Sequence, residues 1–345
     1  MKFDINTLNQ YKEDGLLMNQ SHPTLPLIIW NYTARTQYEG LWDEITVNCR
    51  GLVTDLDGNV ISRGFSKFFN IEENRHEPTD DFEVFEKLDG QYIGVFWYNG
   101  EMIVNSRGSF TSKYAIEARR ILDEKYPSFE QHMKFDISYC FELIGFEQIV
   151  VSYPESDLVL TGMFNRFTGV EYFIHLSRPM FLSKIPIVKK YSGLDYKNIK
   201  QLNWQNSEGF VIRFSNGSRC KIKFDDYVKL HRQMTNLSTT AIWEALKDGK
   251  PVSSILNDVP DEFYDKVHAV ETNFRLDYKK VKREYVAKYR KYLYHFGETR
   301  KDFALKVFQD FKVNKFNFGI IFAQLDGKKV HKDIWQLIKP KFEKI

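Results

Sequence analysis

The chain has few cysteines, no long apolar run and little excess charge of either sign. Its three cysteines, Cys49, Cys140 and Cys220, are odd in number and far apart, which argues against a zinc knuckle or a disulfide framework and favours free thiols. No apolar stretch approaches the roughly 18 residues that span a bilayer, and the polar start of the sequence lacks the apolar centre of a signal peptide. We therefore expect a soluble, cytoplasmic protein with no membrane partner and no structural metal.

The composition is that of a folded protein with an uneven distribution of charge. Hydrophobic residues make up 43% of the 345 positions and aromatic residues 16%, so burial can offset the conformational entropy lost on folding. Residues 241–345 contain 22 Lys and Arg against 15 Asp and Glu, whereas the preceding part has a net charge of −4. This basic end is compatible with a polyanionic partner or with a solvated charged face.

Turn signals between short apolar runs indicate an antiparallel sheet region from about residue 41 to about residue 224. Asn-Gly or Asp-Gly between two such runs is the strongest short-range hairpin signal. The three turns of this kind are Asp57-Gly58, Asn99-Gly100 and Asn216-Gly217.

Helical patterns interrupt this region once and then replace it. At about 112–124, Ile116, Ala118 and Ile121 would share a buried stripe. After about residue 231 the apolar residues follow helical spacing, and the long stretch at about 261–295 has the alternating charge of a solvent-facing helix. We predict an α+β fold with an antiparallel-sheet domain at 1–238 and an all-helical domain at 239–345.

The motif Lys87-Leu88-Asp89-Gly90 lies between two strand-like runs and has the form Lys-x-Asp-Gly, where covalent nucleotidyltransferases hold a nucleophilic lysine. An amine must be neutral to attack a nucleotide phosphate, so the chemistry requires a lysine whose pKa can be lowered by positive neighbours or by desolvation. Arginine cannot be deprotonated and would not serve. Alone, the motif favours a strand that ends in a turn with a solvated lysine, so other segments must support the nucleotidyltransferase interpretation.

A second group of charged residues flanks the third predicted turn. In a regular hairpin with a two-residue loop, Ile212 is opposite Lys221 and Phe210 is opposite Lys223, so that Glu208 and both lysines project from one face. Lysines can neutralise phosphate oxygens while a carboxylate helps to hold Mg²⁺. The alternative is an edge hairpin with a surface ion pair of little energetic value.

Four further residues fit a nucleotide site. Arg50 and Lys67 lie in Arg-Gly and Lys-Phe-Phe-Asn segments and are candidates to bind phosphates. Regular pairing across the second turn places Arg107 near Tyr92 and so beside the lysine loop. Glu142 lies in a strand that reads as buried, where a carboxylate needs a partner such as a ribose hydroxyl or a lysine.

Taken in order, these segments resemble the phage RNA ligase 1 family, the tRNA-repair type of covalent nucleotidyltransferase. In chain order the matching segments are Arg50-Gly51, Lys67-Phe68-Phe69-Asn70, Lys87-Leu88-Asp89-Gly90 as motif I, Phe141-Glu142-Leu143-Ile144-Gly145 as motif III, Leu158 to Tyr172 as motif IIIa, Glu208-Gly209-Phe210-Val211 as motif IV and Lys221-Ile222-Lys223 as motif V. The likeness covers about 41–232, and beyond it only helical character and position match.

The resemblance implies an ATP-dependent RNA ligase with an adenylation domain followed by a helical domain that docks RNA. Lys87 would carry AMP, with Lys221 and Lys223 at the α-phosphate as its catalytic partners. The residues that would bind the nucleotide are Arg50, Lys67, Asp89, Gly90, Arg107, Glu142, Glu208, Lys221 and Lys223. Glu208 would hold Mg²⁺, with Mn²⁺ as an alternative. The partners would be RNA ends, and the family suggests nicked tRNA. The chain would act in the cytosol, which is that of a bacterial host if a phage encodes it. A monomer is the favoured oligomeric state.

Two alternatives remain open. One is another covalent nucleotidyltransferase, either a DNA ligase or a GTP-dependent capping enzyme. The other is a catalytically silent RNA-binding protein that keeps the fold. The second is disfavoured because the lysine, the Asp-Gly pair and both acidic motifs are all present.

Overall fold

The computed structural model of the chain describes residues 2–342 except 74, 76, 77, 80, 148, 149, 176–181, 183, 197, 235, 236, 257, 258, 260–262, 295–298 and 315. The chain divides into two compact units, Met1–Met234 and Thr235–Ile345. The first unit contains sheets and helices, and the second is helical. The predicted α+β fold class is confirmed.

The first unit contains strands β1 (Leu17–Ser21), β2 (Leu27–Tyr32), β3 (Arg50–Asp55), β4 (Val60–Ser62), β5 (Phe69–Asn70), β6 (Phe82–Lys87), β7 (Gln91–Tyr98), β8 (Glu101–Ser106), β9 (Ile137–Ile144), β10 (Asp157–Asn165), β11 (Glu171–Tyr172), β12 (Lys190–Tyr191), β13 (Gly209–Phe214) and β14 (Arg219–Lys223). Its helices are α1 (Ile5–Glu13), α2 (Ala34–Tyr38), α3 (Glu44–Asn48), α4 (Lys113–Lys125), α5 (Ser128–Gln131) and α6 (Asp225–Met234), with short 3₁₀ turns at Ile71–Glu73 and Ile199–Gln201.

Within the described residues, these strands form three sheets. The first has the order β1-β2-β3-β4, the second β11-β10-β9-β7-β8 and the third β12-β6-β13-β14-β5. Neighbouring strands are antiparallel except β14 and β5, which run parallel. Buried apolar residues of the second and third sheets form separate core clusters, so each sheet has an apolar face of its own to bury.

The hairpin between β7 and β8 has the predicted register. Ile93 is opposite Ser106, and the turn residues Asn99 and Gly100 both have positive φ, as a two-residue loop requires. The backbone oxygen of Arg107 and the Tyr92 ring both approach the same glycine of β3. The Arg107 backbone and the Tyr92 ring therefore lie close together, as predicted.

The predicted register of the hairpin between β13 and β14 is wrong by one residue. Val211, not Ile212, is opposite Lys221, and Gly209, not Phe210, is opposite Lys223. The reason is the loop length, because the Phe214 N–H donates to the Ser218 carbonyl and encloses three residues instead of two. Gly217, at φ +85°, takes the left-handed position that a three-residue loop needs.

The helix predicted at 112–124 is α4, which begins after the N-cap Ser112. Ala118 and Ile121 are buried against the second sheet as expected, but Ile116 is 63% exposed. At about 100° per residue, Ile116 lies roughly 140° or more around the helix from the other two, so the predicted stripe cannot include it. Ala115 and Leu122 complete the buried face.

The second unit contains α7 (Thr239–Lys247), α8 (Tyr264–Tyr294), α9 (Arg300–Asn314), α10 (Phe318–Leu325) and α11 (His331–Leu337), with a 3₁₀ turn at Val252–Ile255. Tyr278, Val281, Tyr285 and Tyr292 of α8 recur at helical spacing and pack into one cluster with apolar side chains of α9, α10 and α11. The rest of α8 is mostly exposed and charged. Among the described residues, no helix is both long enough and apolar enough to cross a membrane.

Candidate active site

Lys87 is the last residue of β6, and its strand neighbours determine what it faces. It is opposite Gly209 of β13, which in turn is opposite Lys223 of β14. Directly opposed residues of antiparallel strands project to the same side of a sheet, so Lys87 and Lys223 emerge on one face. Lys221 lies two residues before Lys223 and therefore projects to the same face. Three lysines from two strands thus line one side of the third sheet.

A buried carboxylate joins two of these lysines. The Nζ atom of Lys87 lies 2.6 Å from Oε1 of Glu208, and the Nζ atom of Lys223 lies 3.8 Å from the same oxygen. Glu208 is only 4% exposed, so its charge depends on these cations for compensation. Removing Glu208 would leave the two lysines close together without this carboxylate between them.

Gly209 explains how Glu208 reaches this face. Strand alternation would send neighbouring residues to opposite sides, yet the Glu208 side chain contacts the lysines on the side of Gly209. Gly209 has a φ of +150°, and a Cβ there would lie 1.9 Å from the Ile222 carbonyl oxygen. A side chain is therefore excluded at this position, and the unusual backbone interrupts the alternation. Glu208 therefore lies beside Lys223 on this face, although the register that predicted their proximity is wrong.

Glu142 of β9 and Arg50 of β3 line the same cleft as Lys87. Burial raises the pKa of the Glu142 carboxyl to about 7, while the Lys87 and Arg50 cations oppose that rise. The Arg50 guanidinium lies 5.2 Å from the centre of the Tyr92 ring, which also lines the cleft. Residues of all three sheets thus line this cleft, with carboxylates and cations among them.

Asp89 and Gly90 hold the loop that follows Lys87. The Asp89 carboxylate accepts hydrogen bonds from the Val151 N–H at 3.0 Å and the Tyr227 hydroxyl at 3.1 Å, and the Asp89 N–H donates to the Tyr153 hydroxyl. A Cβ at Gly90 would lie 2.5 Å from a β9 carbonyl oxygen. In this structure both residues therefore fix the loop against its neighbours instead of lining the cleft.

Lys67 and Arg107 lie against aromatic rings rather than on the described walls of the Lys87 cleft. The Lys67 ammonium is 5.9, 5.3 and 5.4 Å from the ring centres of Tyr32, Trp42 and Phe69. The Arg107 guanidinium lies 5.5 Å from the same Tyr32 ring. The two cations therefore share a neighbour, at distances typical of cation–π contacts.

Sequence reasoning missed an ion-pair network on the cleft wall. One Arg219 nitrogen donates to both carboxylate oxygens of Glu171 at 2.6 Å, and Arg213 lies 3.2 Å from Glu171 and 2.9 Å from Glu83. In the observed register Arg213 is directly opposite Arg219. Like charges that are directly opposite on neighbouring strands destabilise a sheet unless an acidic residue lies nearby. Had the correct register been known, the two facing arginines would have predicted such a carboxylate.

The cleft also has a flat apolar side. Phe85 stacks on His175 with ring centres 5.5 Å apart, and Arg213 covers the Phe173 ring at 4.2 Å. These residues and Val211 line the same cleft as Lys87. An apolar slot beside several cations suits a ligand with a planar base and phosphates.

The acidic residues do not form a ready-made metal cage. Among the described residues, no group of three or more His, Cys, Asp or Glu side chains is placed to hold a metal ion. Mg²⁺ is usually held by one or two carboxylates together with substrate phosphates. A lone carboxylate such as Glu208, with Lys87 and Lys223 beside it, fits that mode of binding.

The family model described as RNA ligase, of the phage RNA ligase 1 type, matches residues 48–228, which is more than half of the chain. This range contains every residue assigned to the nucleotide site from the sequence. It ends within α6, before the helical unit.

Two curated proteins are similar over part of their length. A candidate bifunctional polynucleotide kinase/RNA ligase of Autographa californica nuclear polyhedrosis virus is 27% identical over 227 residues, covering 55% of this chain and 32% of that protein. A candidate RNA ligase of Thermovibrio ammonificans is 25% identical over 243 residues, covering 66% of this chain and 61% of that protein. The matches thus span less than two thirds of either relative. A solved structure of an archaeal ATP-dependent RNA ligase is 17% identical, with a TM-score of 0.48 over 77% of this chain and 69% of that one.

Proposed function

Because this chain belongs to the RNA ligase family of the phage RNA ligase 1 type, we propose that it is an ATP-dependent RNA ligase with a lysyl-AMP intermediate. The observation that carries the proposal is that Lys87 and Lys223 both contact the buried Glu208 carboxylate, while Lys87 also lines a cleft with Glu142 and Arg50. An amine, phosphate-binding cations and carboxylates are the groups that this chemistry needs.

The proposed reaction has three steps. The neutral Lys87 amine attacks the α-phosphorus of ATP, a P–N bond forms and pyrophosphate leaves. The AMP then passes to the 5′-phosphate of an RNA end, which frees Lys87. Finally the 3′-hydroxyl of a second RNA end attacks that phosphate, AMP leaves and the strand is joined. Each step is a displacement at phosphorus, so positioning and charge compensation do most of the catalytic work.

The lysines and Glu208 have complementary tasks in the first step. Lys221 and Lys223 neutralise oxygens of the α-phosphate, where negative charge is concentrated during attack. Glu208 holds the Lys87 side chain in place, with Nζ 2.6 Å from Oε1, and the Nζ atom of Lys223 lies 3.8 Å from the same oxygen. When bound, Mg²⁺ would be held by Glu208 and the nucleotide phosphates and would neutralise phosphate charge, with Mn²⁺ as an alternative.

The other residues of the site bind and orient the nucleotide. Arg50 and Glu142 line the cleft at the ribose and phosphate side, and the slot formed by Phe85, Phe173 and Val211 receives the base. Lys67 and Arg107 bind the outer phosphates of ATP, for which they would leave their aromatic neighbours. Asp89 and Gly90 act by holding the lysine loop.

The two parts of the chain have different proposed tasks. Residues 1–238 form the adenylation domain, and the basic helical domain at 239–345 docks RNA. Nicked tRNA is the substrate suggested by the family, and the cytosol is the place, in keeping with three free, buried cysteines among the described residues. Deletion of residues 240–345 should therefore reduce RNA joining more than AMP transfer to Lys87.

The proposal is tested by following label from ATP and then the joining of RNA. With labelled ATP and Mg²⁺ the protein should acquire a covalent label, and addition of single-stranded RNA with 5′-phosphate and 3′-hydroxyl ends should yield joined product. Parallel reactions use labelled GTP and nicked duplex DNA. Labelling by GTP alone would indicate a capping enzyme, and joining of DNA but not RNA would indicate a DNA ligase. If neither ATP nor GTP labels the protein, it is a catalytically silent RNA-binding protein instead of a ligase.

A further inference from the structure

The helical unit contains a cleft with aromatic rings at its base and cations around its rim. The end of α7, the middle of α8 and the start of α11 line it. Tyr278 stacks on Trp335 with ring centres 4.9 Å apart and planes 21° apart. The Tyr278 hydroxyl lies 2.9 Å from Nδ1 of His331, which fixes the two side chains at the cleft wall.

Three lysines that line the cleft form no ion pair with a described carboxylate, although the Lys282 ammonium lies 6.0 Å from the centre of the Tyr278 ring. Lys250 follows α7, whereas Lys279 and Lys282 lie one turn apart on α8, and all three are exposed. Among the described residues none of these three has a carboxylate within ion-pair distance. Arg275, also on the rim, differs because Glu271 holds it at 2.6 Å. The cleft thus presents three ammonium groups from two separate elements to one concave surface.

The charge of α8 extends this pattern beyond the cleft. Between Arg275 and Lys291 the helix carries eight Lys and Arg against two Asp and Glu, so the alternating charge expected for 261–295 does not extend over this part. A solvated helix without a ligand usually alternates the two signs for i,i+4 pairing, as at Glu271 and Arg275. An excess of basic residues bordering a cleft with aromatic residues is instead the pattern of single-stranded nucleic acid sites, where lysines follow the backbone and bases stack on rings.

We propose that this cleft is a docking site for the ribose-phosphate backbone of single-stranded RNA. Lys250, Lys279 and Lys282 contact successive phosphates, and the aromatic side chains that line the cleft, Tyr278 and His331, contact a base. The proposal deepens the proposed function and rests on it, because it names where the substrate of an RNA ligase is held. It assigns this role to three lysines outside the Lys87 cleft.

The test compares two triple variants of the full chain with the same loss of charge. The cleft variant is Lys250→Ala, Lys279→Ala and Lys282→Ala. The control variant replaces three exposed lysines that do not line the cleft, Lys301→Ala, Lys312→Ala and Lys329→Ala. Binding of a fluorescent single-stranded RNA is measured by anisotropy across a salt titration, and melting curves check that each variant is folded.

We expect the cleft variant to bind RNA at least about tenfold more weakly than the unsubstituted chain. Its slope of log affinity against log salt should fall by about 2, since each phosphate contact on a single strand contributes about 0.7. The control variant should change affinity by less than about threefold. A variant with arginine at the three cleft positions should recover binding, because arginine also contacts phosphates.

Two results separate the possible failures. Equal loss of affinity in the cleft and control variants would show that only the overall charge matters and would overturn the cleft proposal. Covalent labelling of the unsubstituted chain by ATP is measured in parallel, because absence of that label contradicts the proposed function whatever the RNA binding shows. Label without any dependence of RNA binding on the cleft lysines contradicts the cleft proposal alone.

Discussion

The Glu142 carboxyl should make the free energy of unfolding fall as the pH rises through neutrality. Burial raises its pKa from an ordinary value of 4.5 to about 7. Between these values the unfolded chain has lost the proton and the folded chain retains it, so unfolding becomes easier as the pH rises. At about 1.4 kcal/mol per pH unit over a window of roughly 2.5 units, the loss reaches about 3 kcal/mol.

The perturbation that isolates this effect is Glu142→Gln, which keeps the shape of the protonated carboxyl but cannot ionise. Relative to the unsubstituted chain, the variant should have nearly the same free energy of unfolding at about pH 5 and a value about 3 kcal/mol higher at about pH 8. Urea denaturation followed by tryptophan fluorescence at several pH values measures the difference. Glu101→Gln, at the exposed Asn99-Gly100 turn, is the matched control and should show no such trend. A constant difference between Glu142→Gln and the unsubstituted chain would refute the reasoning that burial keeps this carboxyl protonated.

Gly209→Ala should prevent formation of the site, because its Cβ would lie 1.9 Å from a carbonyl oxygen; Gly217→Ala, in open space at φ +85°, should cost only about 1 kcal/mol by urea denaturation. Equal effects of the two changes would contradict the crowding argument. Glu171→Gln removes the acid shared by two opposed arginines, Arg219 among them, and should lower the free energy of unfolding by about 3 kcal/mol. The exposed ion pair of Glu147 with Lys113 is the control, since Glu147→Gln should lower the free energy of unfolding by less than about 1 kcal/mol. An equally small decrease for Glu171→Gln would contradict a buried network.

Turn dipeptides predicted the hairpins correctly where their preferred backbone conformations determine the loop. The Asn99-Gly100 turn predicted both a hairpin and its register, because two residues with positive φ suit a two-residue loop. Asn216-Gly217 predicted a hairpin but not its loop length, since the same dipeptide also fits a three-residue loop with the glycine in the left-handed position. A difference of one residue moved every pairing of β13 with β14.

The side chains that meet in the cleft were predicted from motifs, but their contacts were not. The grouping of Glu208 with Lys223 depends on the backbone of Gly209, which no strand pattern reveals. The partners of Asp89 come from segments more than 60 residues away, and Glu171 reaches Arg219 across two sheets. Such contacts follow from tertiary packing, whereas periodicity and turn residues report only on local structure.

The contacts between the cations and aromatic rings could not be predicted from the sequence either. Lys67 was predicted as a phosphate ligand and Arg107 as a ligand of the ATP phosphates or ribose, and the structure places both against the Tyr32 ring. A basic residue beside aromatic residues in the sequence reads equally as a ligand contact or as a cation–π contact. Their role in nucleotide binding therefore stays a prediction.

The central claim is that the Lys87 amine forms the covalent bond to AMP, and mapping the label to a residue tests it most directly. The protein is incubated with labelled ATP and Mg²⁺, digested, and the modified peptide is located by mass spectrometry, with Lys87→Ala in parallel and Lys113→Ala, an exposed lysine of α4, as the matched control. We expect AMP on Lys87 in the unsubstituted chain and in Lys113→Ala, and none in Lys87→Ala. Label that persists in Lys87→Ala, or that maps to a different residue of the unsubstituted chain, would contradict it.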